Sequence, residues 1–374
     1  MKAIIQSLAF AGLLATATLG ASAAHAGLAA PGAETIASYR NRFARDKPVI
    51  AVIAENSGTE LTDFVVPYGV LAQSGVADVF AVAAQDGAIT MRPALHLRAQ
   101  ASLAQFDSRF PQGADYIIVP AMVRQDDPAV LAWIRAQADK GGTVVSTCDG
   151  ALVLANAGLL KNRRATAHWA TQSLRRKKYP DTTWLGNVRY VVDGRIVTSA
   201  GISAAMPTSL ALVEAIAGRD AASRLAEALG VGDWSANHDS DQFLPKFGVN
   251  LRAFAAVMVT NGWFHSTQQI GVPLSAGMDE IALALTADAY SRTGRSQAVS
   301  MAASDAPVVT RNGLVVLPDR VERGSDTVDR MLAAPGTLPS ARALDIALVD
   351  IASLYGRNTA YGVALDFEYP GFRR

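Results

Sequence analysis

Short, unbroken apolar runs alternate with longer helical stretches from Pro48 onward. Pro48–Ala54, Asp78–Ala84, Asp115–Pro120 and Thr143–Ser146 are rich in β-branched residues and bounded by turn residues. That is the pattern of strands buried on both faces. Between them lie Glu60–Ser74, which carries Asp63 and Pro67, and Pro128–Lys140, which opens on a proline and closes on Gly141-Gly142, a helix start-and-stop signature. The alternation predicts a three-layer α/β sandwich around a mostly parallel, flavodoxin-like sheet, with ligands at the carboxyl ends of its strands.

Further on, Val188–Gly201 reads as a hairpin turning at Asp193-Gly194. A helix from about Pro207 to Ala217 follows, then another ending near Gly230, and residues 233–245 are expected to be a linker. Beyond it the first pattern recurs in reduced form. Phe254–Thr260 is matched to the first strand, Ser275–Thr293 to the helix carrying Asp63, and Arg295–Ala303 to the second strand. Asn312–Pro318 parallels the stretch around Ala94-Leu95, and Leu344–Gly356 parallels Ser209–Gly218. Residues 246–374 are therefore expected to be a degenerate second copy of the unit in residues 48–232.

The N-terminus adds an address. Met1-Lys2, an apolar stretch over Ala3–Leu19 and the small residues Gly20–Gly27 read as a secretory signal peptide cut after Ala26. The apolar core is too short and too weakly hydrophobic for a comfortable membrane span. A periplasmic protein without a membrane anchor is expected, with residues 27–47 as a lead-in. The chain is 50% hydrophobic and 18% charged with a formal net charge of +1, which excludes broad disorder and a nucleic-acid surface. The single cysteine leaves no internal disulfide to form in an oxidising compartment.

That cysteine is the candidate chemistry. Cys148 follows a β-branched run and precedes a small-residue helical run. The layout places it on a strand–turn–helix elbow, where free N–H groups of the helix start favour negative charge. The spacing resembles G-x-S-x-G, with Ser146 at the first glycine position and Gly150 at the second. A buried, inert thiol fits the same pattern. Asp63 alone fits a helix cap or surface carboxylate, and His168 alone fits a packed ring bonded to backbone. The other histidines lack metal-ligand spacing, and no phosphate loop or dinucleotide fingerprint is present, so no cofactor is expected.

Taken together, residues from about 48 to 230 resemble the ThiJ/PfpI superfamily, whose fold is like that of class I glutamine amidotransferases. The branch is similar to isonitrile hydratases and to the ligand-binding halves of AraC-type regulators. The resemblance rests on Asp63 four residues before Pro67, on Ser146–Leu154, on Ala157–Trp169 and on Val192–Gly201. It implies Cys148 as nucleophile, Asp63 as the carboxyl group beside its sulfur, and His168 near the pocket. Backbone N–H groups at Asp149, Gly150 and Met122 would hold an oxyanion. Three positions depart from the family pattern: Ala121-Met122 where two glycines are usual, Asp149 where His or Thr is common, and Met206-Pro207 in place of Ile-Asp. The implied function is an exported, cysteine-dependent hydratase or hydrolase of a small molecule. The alternative is a binding or redox-sensing protein of the same fold. Such relatives commonly dimerise, and the second copy would provide an internal pseudo-dimer in place of a homodimer.

Overall fold

All six residues of β1 (Val49–Ala54) are buried, because strands pair on both its edges and helices cover both its faces. The computed structural model describes residues 34–322, 328–334, 336 and 338–373; the expected signal peptide at 1–26 lies outside them. After β1 come α1 (Leu61–Ser74) and β2 (Asp78–Ala83). A hairpin, β3 (Ala88–Arg92) and β4 (His96–Arg98), leads to β5 (Ala101–Ser102) and α2 (Leu103–Arg109). Then follow β6 (Tyr116–Val119), α3 (Pro128–Asp139), β7 (Thr143–Ser146) and α4 (Gly150–Asn156). The predicted hairpin is β8 (Tyr190–Asp193) and β9 (Ile196–Ser199), followed by α5 (Ala205–Ala217) and α6 (Arg219–Leu229). The seven strands of the main sheet run in the order β8-β9-β7-β6-β1-β2-β5. All neighbours are parallel except the β8–β9 pair.

An additional α/β region follows. Residues 251–264, part of which was expected to be a strand, are helical, with a π-helical turn over Ala256–Thr260. An apolar run of that length carries no period that separates strand from helix; here one face packs on Trp169, Phe243 and Leu365. The strand that opens the region is β10 (Gln268–Pro273), followed by α7 (Glu280–Ser291) and β11 (Ser296–Ala302). Next come β12 (Val308–Val309), β13 (Val315–Leu317), β14 (Arg320–Val321) and β15 (Arg330–Met331). Two helices, α8 (Arg342–Tyr355) and α9 (Arg357–Asp366), end the region. Its sheet is parallel, in the order β14-β11-β10-β15.

Among the contacts that join this region to the first, two involve whole elements. The hairpins pair antiparallel through β4 and β13, with Leu97 opposite Val316. Helix α1 packs against α7, which is why Leu61 through Leu71 are buried all round. A Cβ at Gly69 would stand 2.6 Å from Ile281 Cγ1, so the crossing needs glycine there. One apolar cluster runs from β1 through α1 and α5 into α7 and α8. The segment expected to be a linker takes part in the packing, with Phe243 buried and the His238 side chain 5% exposed. Replacing Gly69 with valine is expected to destabilise the protein by roughly 1–3 kcal/mol through overpacking, measured by urea unfolding; an unchanged midpoint would show that the helices part at little cost.

Candidate functional site

The elbow forms between β7 and α4. Cys148 has φ 54°, a left-handed conformation that costs a non-glycine residue on the order of 1–3 kcal/mol. The surroundings hold it there: its N–H donates to Ala200 O at 3.1 Å, and the Gly150 N–H closes a turn on Thr147 O at 2.8 Å. Thr147 ties the elbow to α1 through Oγ1, which donates to Asp63 O at 3.2 Å. Gly150 is required for close approach, since a Cβ would lie 2.0 Å from Val119 O on β6. The sulfur-bearing residue is 6% exposed.

Asp63 is fully buried on the first turn of α1. Its N–H donates to the side chain of Glu60, the N-cap, and Oδ2 accepts the Ala121 N–H at 3.2 Å. Oδ1 is buried and has no hydrogen-bond partner, the Cys148 sulfur included. Burial pushes the Asp63 carboxyl up to about 7, against the Ala121 N–H and the Arg292 guanidinium, which favour the charged form. Burial also pushes the Cys148 thiol well up, and the charges of Asp63, Asp149 and Glu60 push it further; the hydrogen bond from Asp149 backbone opposes them.

The remaining expected residues divide. Asp149 caps α4 without a side-chain hydrogen bond to it; its Oδ1 instead accepts from Thr171 Oγ1 at 2.7 Å. Met122 is buried in the core, and its segment bridges antiparallel to Thr59. The turn thus accepts a side chain where the resemblance led one to expect glycine. The Ala121 N–H beside it is already given to Asp63. His168 is buried with both ring nitrogens in use: Nδ1 accepts the Ala170 N–H at 3.2 Å, so Nε2 carries the proton and donates to Asp366 O at 2.8 Å. That geometry leaves the ring no nitrogen for proton transfer.

Sequence reasoning missed the charges contributed by the additional region. Arg292, at the end of α7, bonds Glu60 at 2.7 Å, Asp366 at 2.6 Å and Asp288 at 2.5 Å. Asp288 also accepts from Thr62 Oγ1 at 2.6 Å. One cation thus faces three carboxyl groups, with Asp63 a turn beyond Glu60. Burial, together with Asp63 and Asp288, pushes Glu60 well above the usual carboxylate range, while Arg292 holds Asp366 below it against burial. Glu368, at φ 53°, accepts from Trp169 N–H at 2.9 Å and meets His238 Nε2 at 2.8 Å. A local trace existed for two of these residues: Glu60 sits three before Asp63, and Asp288 four before Arg292. Among the described residues, no group of three or more His, Cys, Asp or Glu could hold a metal ion.

Asp63 yields a pH test. Unfolded, its carboxyl loses its proton near pH 4; folded, it keeps it to about 7. The native state therefore binds the extra proton between those values, and stability falls as pH rises through them. Asp63→Asn removes this slope, so the variant is expected to gain on the wild type by about 2–4 kcal/mol between pH 5 and 8, read from urea unfolding at both pH values. A constant difference would mean that Asp63 is ionised throughout.

Comparison with known proteins adds to this geometry. Residues 48–215 match the model of the DJ-1/PfpI family. The isonitrile hydratase of Pseudomonas putida is 39% identical over 101 residues, 26% of this chain and 41% of that protein. The HTH-type transcriptional regulator CdhR of Pseudomonas aeruginosa is 31% identical over 139 residues, 36% of this chain and 41% of the regulator. The chain spans about two-fifths of the length of both these curated relatives. Among solved structures, Drosophila melanogaster DJ-1beta aligns with a TM-score of 0.46 at 22% identity, covering 50% of this chain and 100% of that one. A ThiJ/PfpI family protein from Pseudomonas syringae gives 0.45 at 21% identity, covering 54% and 78%.

Proposed function

Residues 48–215 belong to the DJ-1/PfpI family, and on that premise we propose a cysteine-dependent hydratase or hydrolase of small molecules, exported to the periplasm by a signal at residues 1–26. The observation that carries this reading is Asp63 Oδ1: buried, unpartnered, and on a carboxyl group pushed up to about 7 whose charge bears on the left-handed Cys148. A general base is most effective when its pKa lies near the working pH. The thiol itself rests protonated, so Asp63 takes its proton as the sulfur attacks; hydrogen bonds of this kind often tighten only once substrate is bound.

An isonitrile, the substrate class in the name of one relative, illustrates the balance. The Cys148 sulfur bonds to the terminal carbon while Asp63 accepts the S–H proton and returns it to that carbon, giving a thioimidate. Water adds to its C=N bond, and expulsion of the thiol leaves an N-substituted formamide and the free cysteine. Backbone N–H groups at Asp149, Gly150 and Met122 are proposed to steady the charge that develops.

The additional region we read as a degenerate second copy. Five landmarks recur 219 residues on: the starts of β1 and β10 (49 and 268), the caps Glu60 and Asp279, the left-handed Gly75 and Gly294, and the starts of β4 and β13 (96 and 315) and of β5 and β14 (101 and 320). The counterpart of Asp63 is then Ala282, so this copy has no acid at that position. It forms an internal pseudo-dimer and supplies Arg292 and Asp288 to the first copy's site.

A binding protein is the second reading, favoured by the upward push on the thiol and by the fully engaged ring of His168. Two measurements divide the readings. The rate of Cys148 alkylation against pH is expected to show no thiolate step below the free-thiol value of about 8.5; a step well below it would favour a redox sensor. Turnover of alkyl isonitriles, α-oxoaldehydes and amides is expected for one class, rising through pH 7 as Asp63 ionises and falling at least a hundredfold in Cys148→Ser and Asp63→Asn. Saturable binding of such compounds without product would leave the binder.

A further inference from the structure

The helical segment 251–264 is apolar on both faces. Inward, Ala253 and Phe254 are buried against Trp169, Phe243 and Leu365, with the Phe254 and Trp169 rings edge to face at 5.4 Å. Outward, Leu251, Met258, Val259, Trp263 and Phe264 are exposed, and Phe247 precedes them on the same segment. Phe247 is 93% exposed, Trp263 79% and Phe264 74%. A helix with large apolar side chains toward solvent as well as toward the core is ordinarily covered on both sides, and several such side chains on one short segment mark a contact surface.

Charge says what covers it. From Gln242 to Met278 the chain has no acidic residue, while Lys246 and Arg252 stand exposed on the segment. Aromatic side chains beside cations, on a helix lying along the surface, suit the boundary between anionic headgroups and acyl chains. A second copy suits it poorly. A two-fold contact sets a patch against itself, and would bring Lys246 and Arg252 toward their own images with no acid from the segment to answer them. No described helix is long and apolar enough to cross a membrane, so the contact would be one of surface attachment.

We propose that residues 246–265 dock the protein on a bilayer surface containing anionic phospholipid, with Phe247, Trp263 and Phe264 entering the headgroup–acyl boundary. The full chain supplies its own probe. Trp133, Trp169 and Trp184 are buried and Trp234 is partly buried, leaving Trp263 the exposed indole. With vesicles of phosphatidylcholine containing one-third phosphatidylglycerol, sedimentation of the protein is expected, with a blue-shifted emission quenched by brominated acyl chains. Added salt should weaken binding, and pure phosphatidylcholine should bind less. Trp263→Ser/Phe264→Ser, at exposed positions, should keep the wild-type circular dichroism while lowering the partition coefficient at least tenfold. Three results would overturn the proposal: no binding to either vesicle, equal and salt-insensitive binding to both, or a dimer in sedimentation equilibrium that the double substitution dissolves.

Discussion

Everything around the elbow depends on one guanidinium that has too many partners. Arg292 is bonded to Glu60, Asp288 and Asp366, and Asp63 lies within its field. A buried carboxylate is stable only when paired or well hydrogen-bonded. With one cation for this group, some carboxyl must stay protonated, and the pressure falls on Glu60 and Asp63, both pushed upward. The arrangement also locks geometry. Glu60 caps α1 at the Asp63 N–H, and the backbone carbonyl of Asp366 takes the His168 ring proton. Arg292 therefore stands one residue away from both Asp63 and His168, although it belongs to the other half of the chain.

The elbow and the acids work against each other in a useful way. A left-handed cysteine is held, buried, between β6 and β9, and the Asp149 N–H favours a negative sulfur. Burial and three neighbouring carboxyl groups oppose it. A standing thiolate is thereby suppressed, and the thiolate is the form that oxidises and exchanges. On the proposed reading, the same carboxyl that suppresses ionisation accepts the proton when an electrophile arrives, so that protection and reactivity share one residue.

Much of this was legible in the chain. Strands buried on both faces need unbroken apolar runs, so β1, β2, β6 and β7 announced themselves, and Gly150 marked the second glycine position of the elbow. Asp63 stood out only through the family resemblance, since alone it fits a helix cap. What stayed hidden was long-range. Arg292 meets Glu60 across 232 residues and Glu368 meets Trp169 across 199, distances at which no local period carries information. Phe254–Thr260 was misjudged for the opposite reason: its local pattern is strong but ambiguous, and the tertiary setting chose helix. A packed ring bonded to backbone was legible for His168, but not its partner, the Asp366 carbonyl 198 residues on.

Infrared titration of the Asp63 carboxyl tests the central claim most directly. In difference spectra of wild type against Asp63→Asn, a protonated-carboxyl band should persist through pH 5, disappear with a midpoint of about 7, and persist to still higher pH in Arg292→Met, where the cation is gone. A band already lost by pH 5 in the wild type, or unmoved by Arg292→Met, would contradict a site governed by one cation among competing acids.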